Sequence, residues 1–317
     1  MKKRSIIIDC DPGHDDALAI MVALAKKDVL DLKGLTVVAG NQTLEKLSKN
    51  TLNLLSYLEE YAPVVQGVER PVIKPLTIGD GVEIHGESGL DGFIFPEPKI
   101  ELAGTNAIHF LYKTIMESEE RVTLVPTAPL TNIALLLKAY PEVKEKIEVI
   151  SLMGGGINNG NITPSAEFNI YADPDAANIV FNSGIPTIMS GLDVTEKAFI
   201  TFDEVSKINP KNGKCSAMIR GLLDFYGEFS KSFGLTSMPL HDVCAVLYLT
   251  NPEIFKGEYY SVDIEVNDGI TRGQTVADRR TYAPKHKKNT FVLLDIDREK
   301  FLEIILESIK YYDEKLK

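Results

Sequence analysis

The sequence contains no tryptophan, three cysteines and five histidines in 317 residues. Cys10, Cys215 and Cys244 are odd in number and show no CxxC spacing. They argue against a disulfide scaffold or a zinc–cysteine site and imply reduced thiols in the cytoplasm. Basic residues are the minority, 34 against 45 acidic, for a net charge of −11. General nucleic-acid binding needs a basic footprint and is not expected, although a small substrate derived from nucleic acid stays open. Long apolar runs are missing as well. The longest, residues 17–25, has nine residues, well short of the ~20 that span a bilayer, so no membrane partner is expected. The basic start reaches Asp9 after only three apolar residues, less than a signal peptide requires. What is present, 44% hydrophobic and 25% charged residues, is the mix of a soluble globular chain long enough to bury its own core.

Apolar runs and helical periodicities alternate along the chain. Short buried strands are expected at 5–9, 32–39, 64–66, 122–126, 147–153 and 187–190. Between them, helices are expected at about 15–26, 44–59, 105–117, 129–139, 174–183 and 214–231. Such alternation implies an α/β fold: a central, mostly parallel, Rossmann-like open sheet flanked by helices. Beyond Asn251 the chain becomes strand-rich (259–266, 274–277, 291–294) and ends in a helix from Asp297. No repeat or linker interrupts it, so residues 1–317 read as a single domain. The Pro/Gly-rich stretch 67–104 reads as a long functional loop or lid, and the charge run Lys285–Lys288 as a solvated loop. Ligands of open α/β sheets bind beyond the carboxyl ends of the strands. The polar loops there, at 9–16, 40–41, 127–129 and 154–169, should converge on one crevice.

The first of these loops, Asp9-Cys10-Asp11-Pro12-Gly13-His14-Asp15-Asp16, packs four carboxylates into eight residues at a strand-to-helix turn. Each acid alone could cap a helix, but one cap does not need four. Like charges this close raise one another's pKa, and a helix N-terminus or, more strongly, a hard divalent cation relieves them. An all-oxygen set selects Ca²⁺ or Mg²⁺ over zinc. An apolar strand ending in Asp-x-Asp also opens haloacid-dehalogenase-type phosphatases. Gly13 and the two further acids fit that Mg²⁺-dependent use of Asp9 and Asp11 poorly. Phe225, Phe229 and Phe233 recur every four residues, either as core or as an apolar wall.

The loop at 9–17 resembles the signature of the inosine-uridine-preferring nucleoside hydrolases, the calcium-dependent nucleoside N-ribohydrolases. The similarity continues in order through Val38-Ala39-Gly40-Asn41-Gln42-Thr43, His85-Gly86-Glu87-Ser88-Gly89-Leu90, Thr127-Ala128-Pro129-Leu130-Thr131-Asn132, Met153-Gly154-Gly155, Asn161 to Asn169, and Leu240-His241-Asp242. Ala128 departs from the family's usual glycine. The resemblance implies hydrolysis of ribonucleosides to free base and ribose by a Ca²⁺-activated water whose proton Asp11 takes. It makes Asp11, Asp16, Asp242 and the Thr127 carbonyl calcium ligands. It places Asp15 and Asn41 on the ribose 2′ and 3′ side, Asn161, Glu167 and Asn169 on the 3′ and 5′ hydroxyls, and Met153 and Phe168 against the sugar. His241 is implied as the proton donor to the departing base, with His85 as a second candidate in the loop; His14 has no assigned role. If the phenylalanine stripe is a wall rather than core, Phe229 is its candidate residue beside the base. The lack of tryptophan points away from the purine-specific branch, which sandwiches the base between tryptophans, and toward uridine and cytidine, with inosine possible. The resemblance also implies a homo-oligomer, dimer or tetramer. A non-catalytic nucleoside or ribose binder that kept the pocket is the remaining alternative.

Overall fold

A computed structural model describes residues 2–76, 81–281 and 288–317. In chain order the strands are β1 (Arg4–Cys10), β2 (Leu30–Val37), β3 (Val64–Gln66), β4 (Val122–Pro126), β5 (Ile147–Met153), β6 (Thr187–Ser190), β7 (Phe199–Thr201), β8 (Ser237–Pro239), β9 (Phe255–Tyr260), β10 (Val262–Ile264), β11 (Thr275–Ala277) and β12 (Thr290–Ile296). The α-helices are α1 (His14–Ala25), α2 (Leu44–Tyr57), α3 (Gly81–His85), α4 (Ala107–Glu117), α5 (Thr131–Ala139), α6 (Phe168–Ala172), α7 (Pro174–Phe181), α8 (Leu192–Thr195), α9 (Phe202–Lys207), α10 (Lys214–Ser232), α11 (Val243–Thr250) and α12 (Arg298–Lys315).

Eight strands form one sheet in the order β3-β2-β1-β4-β5-β6-β12-β9. Every neighbouring pair is parallel except β12 with β9. Alternation along β1 shows how the sheet divides the core. Ile6, Ile8 and Cys10 face a cluster built with α1, α10, α11 and α12, whereas Ile7 faces one built with α4, α5 and α7. A strand buried on both faces reads as a continuous apolar run, as β1 does. The chain leaves β1 toward β2 on one side and returns to β4 on the other. The carboxyl ends of β1 and β4 therefore flank a topological switch point, where open sheets bind ligands.

Two parts of the C-terminal half differ from expectation. The single strand expected at 259–266 is two: β9 closes the edge of the main sheet, and after Ser261 β10 pairs with β11 in a separate ribbon. Helix α11 had no periodic signal, because it is buried on nearly every side and so carries no polar stripe. Within the stretch 67–104, α3 and the turns after it are ordered elements, and residues 77–80 lie outside the described residues. Lys285 to Lys287 of the charge run lie outside them too. Among the described residues no helix is long and apolar enough to cross a membrane.

Candidate active site

β1 delivers two acids to the switch point and α1 delivers two more. Asp9 points into the sheet, where its Oδ1 accepts from Thr36 Oγ1 (2.5 Å) and Asn132 Nδ2 (2.8 Å). Burial pushes its carboxyl up to about 7, against the lowering effect of those two bonds. Asp11 lies one step further along. Its Oδ2 accepts the Asn41 main-chain N–H at 2.7 Å, and its Oδ1 is buried with no hydrogen-bond partner. Gly40 makes the first contact possible, since a Cβ there would stand 2.1 Å from Asp11 Oδ2. Asp16, in the first turn of α1, reaches back to the Gly13 N–H (3.3 Å) and accepts from Thr127 Oγ1 (2.7 Å). Asp242 sits at the N-terminus of α11, which packs beside α1. The positive ends of two helices thus face the acids.

Those dipoles do not neutralise the cluster. Burial drives Asp11, Asp16 and Asp242 well above the usual carboxylate range, and the neighbouring aspartates push them further. Carboxylate oxygens of Asp15, Asp16 and Asp242 lie within 4.8 Å of one another. Three convergent buried carboxylates, an orphaned Asp11 oxygen beside them and an all-oxygen donor set fit a hard divalent cation. Asp15 thus joins the converging group itself, in addition to the sugar-side position implied for it. Substituting Gly40→Ala is expected to displace the Asp11 carboxylate and weaken divalent-cation binding by roughly tenfold or more. A calcium titration by calorimetry checks this, and unchanged affinity would detach Asp11 from the cation site.

In front of the acids opens a cavity of about 310 Å³, the size that holds a small organic molecule. Asp15, Asn41, His85, Thr127, Met153, Asn161, Glu167, Phe168, Asn169, Phe229, His241 and Asp242 all line it. Asp9, Asp11 and Asp16 are buried and are not among its lining residues. Asp9, tied to Thr36 and Asn132 inside the sheet, is not presented as the nucleophile that the phosphatase arrangement needs. No lysine or arginine lines the cavity among the described residues. Glu167 is held from three sides: Oε1 accepts the Asn169 N–H (2.8 Å), and Oε2 accepts those of Gly155 (2.8 Å) and Ile170 (3.1 Å). Asn169 Nδ2 donates to the Thr127 carbonyl (3.0 Å) and the Met153 carbonyl (3.2 Å). This one amide ties the ends of β4 and β5 together. Asn161 Oδ1 accepts the Phe168 N–H (2.9 Å) and closes the loop.

The profile of the family described as inosine-uridine preferring nucleoside hydrolase matches residues 6–303. The chain belongs to the inosine-uridine preferring nucleoside hydrolase family. It is 45% identical over 310 residues to a pyrimidine-specific ribonucleoside hydrolase, RihA, of Escherichia coli O1:K1, covering 97% of this chain and 98% of that one. Among solved structures it is similar to a purine-preferring ribonucleoside hydrolase from Gardnerella vaginalis, with a TM-score of 0.91, 31% identity, and 98% and 100% coverage. An inosine-guanosine nucleoside hydrolase matches with a TM-score of 0.88 and 26% identity, over 99% of each chain. The chain is thus similar in sequence to a hydrolase named for pyrimidines and in fold to hydrolases named for purines.

Several of those side chains carried no sequence signal. Tyr226, Ile84, Ile162, Leu192, Leu235 and Pro239 also line the cavity, and Tyr226 lies near enough to the acids that Asp15, Asp242 and Asp16 help burial raise its hydroxyl's pKa. Of the phenylalanine stripe, Phe229 lines the cavity, Phe225 stacks on His14 (centroids 5.6 Å apart), and Phe233 stands 70% exposed beyond the end of α10. His241 Nδ1 is 2.7 Å from Thr195 Oγ1. Burial lowers the His241 pKa, with Asp15 and Glu196 acting against that.

Proposed function

We propose that this nucleoside hydrolase cleaves pyrimidine ribonucleosides, uridine and cytidine ahead of inosine, and that Ca²⁺ is its metal. The observation that carries this is a cavity that takes in Asp15 and Asp242 of the convergent buried carboxylates together with many apolar side chains, and no tryptophan or cationic side chain among its described lining residues. The pyrimidine-specific relative at 45% identity supports the base preference.

Asp11, Asp16, Asp242 and the Thr127 carbonyl would hold the cation. When bound, the cation acidifies a water molecule and anchors sugar hydroxyls. Asp11 takes the water's proton, for which its partnerless Oδ1 is free. Asp15 and Asn41 hold the 2′ and 3′ side of the ribose, and Asn161, Glu167 and Asn169 the 3′ and 5′ hydroxyls. The interlocked hydrogen bonds of Glu167 and Asn169 hold both groups rigid, which is how positioning lowers a barrier. Met153 and Phe168 pack on the sugar while positive charge develops on it. His241, steadied by Thr195, donates toward the departing base, and Phe229 flanks it. The three thiols are buried and unpaired, which supports a cytoplasmic setting. A homo-oligomer is proposed on family resemblance alone.

Release of free base, followed by ultraviolet absorbance, tests the reading. With Ca²⁺ present, kcat/KM for uridine is expected to exceed that for inosine by roughly tenfold or more, the discrimination a shaped apolar wall can supply. Inosine cleaved as well as uridine would overturn the pyrimidine preference. Ribose binding with no base released would make the chain a binder.

A further inference from the structure

Strand β9 ends the main sheet, and beyond it no further strand is paired among the described residues. Its main-chain bonds to β12 fix which of its groups are left over. The Asp297 N–H donates to the Ile254 carbonyl (2.7 Å) and the Asn289 N–H to the Tyr260 carbonyl (3.1 Å). The register slips once, where Leu294 is the extra residue of β12, so β9 itself keeps its alternation. Residues 254, 256, 258 and 260 therefore serve β12, and the N–H and C=O groups of Phe255, Gly257 and Tyr259 point to the open side. Bare edges invite pairing, and proline, bulges or charges usually block them. The strand Phe255-Lys256-Gly257-Glu258-Tyr259-Tyr260 has no proline.

It does carry charges, Lys256 and Glu258, both exposed. Blocking charges of one sign would repel a second copy. These two are of opposite sign and lie on either side of Gly257, on the same face of the strand. Laid antiparallel to itself about Gly257, the strand sets Lys256 of each copy opposite Glu258 of the other. The rest of the register agrees. Gly257 meets Gly257 of the second copy, and Phe255 meets Tyr259, at positions whose open-side groups exchange main-chain hydrogen bonds. Lys256 and Glu258 then fall at the other positions, where facing side chains come closest. Centring the pair on Phe255 or Tyr259 would leave both charges without an opposite. Tyr259 is 57% exposed and leans on Phe291, the centroids 4.9 Å apart. The pairing covers it with Phe255 of the second copy, an aromatic cross-strand pair.

We propose that β9 is a contact between two copies of this chain, joined antiparallel about Gly257, so that one sheet runs through both. Such a contact is two-fold and isologous, and it closes at a dimer or recurs within a tetramer. It gives the proposed homo-oligomer a surface, and it rests on that oligomer forming. No residue of β9 is among those lining the cavity, so each copy keeps its own site.

Sedimentation of the full chain at low ionic strength, where exposed charges count most, tests this. The wild type is expected to sediment as an even-numbered oligomer. Lys256→Glu sets acids opposite acids, and Glu258→Lys sets bases opposite bases. Each is expected to raise the Kd of self-association roughly tenfold or more, read as a shift toward half the wild-type mass. An equimolar mixture of the two variants sets the acids of one copy against the bases of the other. It is expected to recover the wild-type mass, which also shows that both variants are folded. The double variant, with the two charges exchanged, should self-associate like the wild type. Within its own chain Lys256 Nζ stands 3.8 Å from Asp295, and Glu258 accepts the Tyr260 hydroxyl at 2.9 Å. Loss of those contacts alone would not be repaired by mixing. Single variants at the wild-type mass, or a mixture no heavier than its parts, would overturn this contact and leave the oligomer standing. A wild type at single-chain mass would end the oligomer reading as well and leave the edge to a strand of another protein.

Discussion

Asp11→Asn is expected to lower kcat on uridine by at least ~10³-fold, in the upper range for loss of a general base, while the protein stays folded. The geometry explains both halves. The amide oxygen can keep the bond that Asp11 Oδ2 accepts from the Asn41 N–H at 2.7 Å. The amide NH₂ then occupies the place of Oδ1, the buried atom with no partner. That group can neither take a proton nor face a cation, so base and metal ligand are lost together. Folding loses little, because the acid it replaces is buried among other acids that raise its pKa. The metal-free variant should melt at or above the wild-type temperature and lose the upward shift that Ca²⁺ gives the wild type. Steady-state kinetics with metal-free and metal-loaded melting curves check this. Turnover within tenfold of wild type would remove Asp11 from the reaction. Asp9→Asn is the contrast. Asp9 is tied to Thr36 and Asn132 inside the sheet, outside the cavity lining, so its loss should act through the placement of its neighbours and cost less.

The sequence was most legible where burial is one-sided or where acids crowd together. Helices α2, α10 and α12 carry clean periodicities, and their observed starts lie within two residues of those expected. Crowding at 9–16 pointed to a cation because repulsion has few remedies, whatever the fold. Helix α11 was invisible for the opposite reason: packed on nearly every side, it has no polar face to set a period. The base-side wall was half legible. Counting every fourth residue on α10 found Phe229, but Phe233 falls past the helix end at Ser232. The face turned to the cavity is Tyr226, Phe229 and Ser230, an i, i+3, i+4 set that a stripe of phenylalanines conceals. The contact of His14 with His85, 71 residues away, was illegible, because residue type carries no trace of it.

Removing the divalent cation is expected to abolish turnover and to reverse how stability depends on pH. In the metal-free chain burial raises Asp16 to about 7 from an ordinary 3.8, and it drives Asp11 and Asp242 well above that ordinary value too. Between those limits the folded state holds protons that the unfolded chain has released. Stability then falls as the pH rises. The contribution is fully present below about pH 4 and lost as the pH climbs through about 7, following the Asp16 shift. A bound Ca²⁺ needs the same oxygens ionised, so it competes with the protons. It binds more weakly in acid and stabilises most in alkali, by an amount that grows with its saturation of the folded state. Melting temperatures with chelator and with excess Ca²⁺, at about pH 5.5 and about pH 8, test this linkage. Chelated protein should melt lower at the alkaline pH, and the gain from Ca²⁺ should be larger there. Activity should return with Ca²⁺ more fully than with Mg²⁺, because Mg²⁺ demands a tighter octahedral shell and keeps its waters. Equal gains from Ca²⁺ at the two pH values would mean that the ion binds somewhere other than among Asp11, Asp16 and Asp242. The Asp11→Asn result would then be a matter of proton transfer alone.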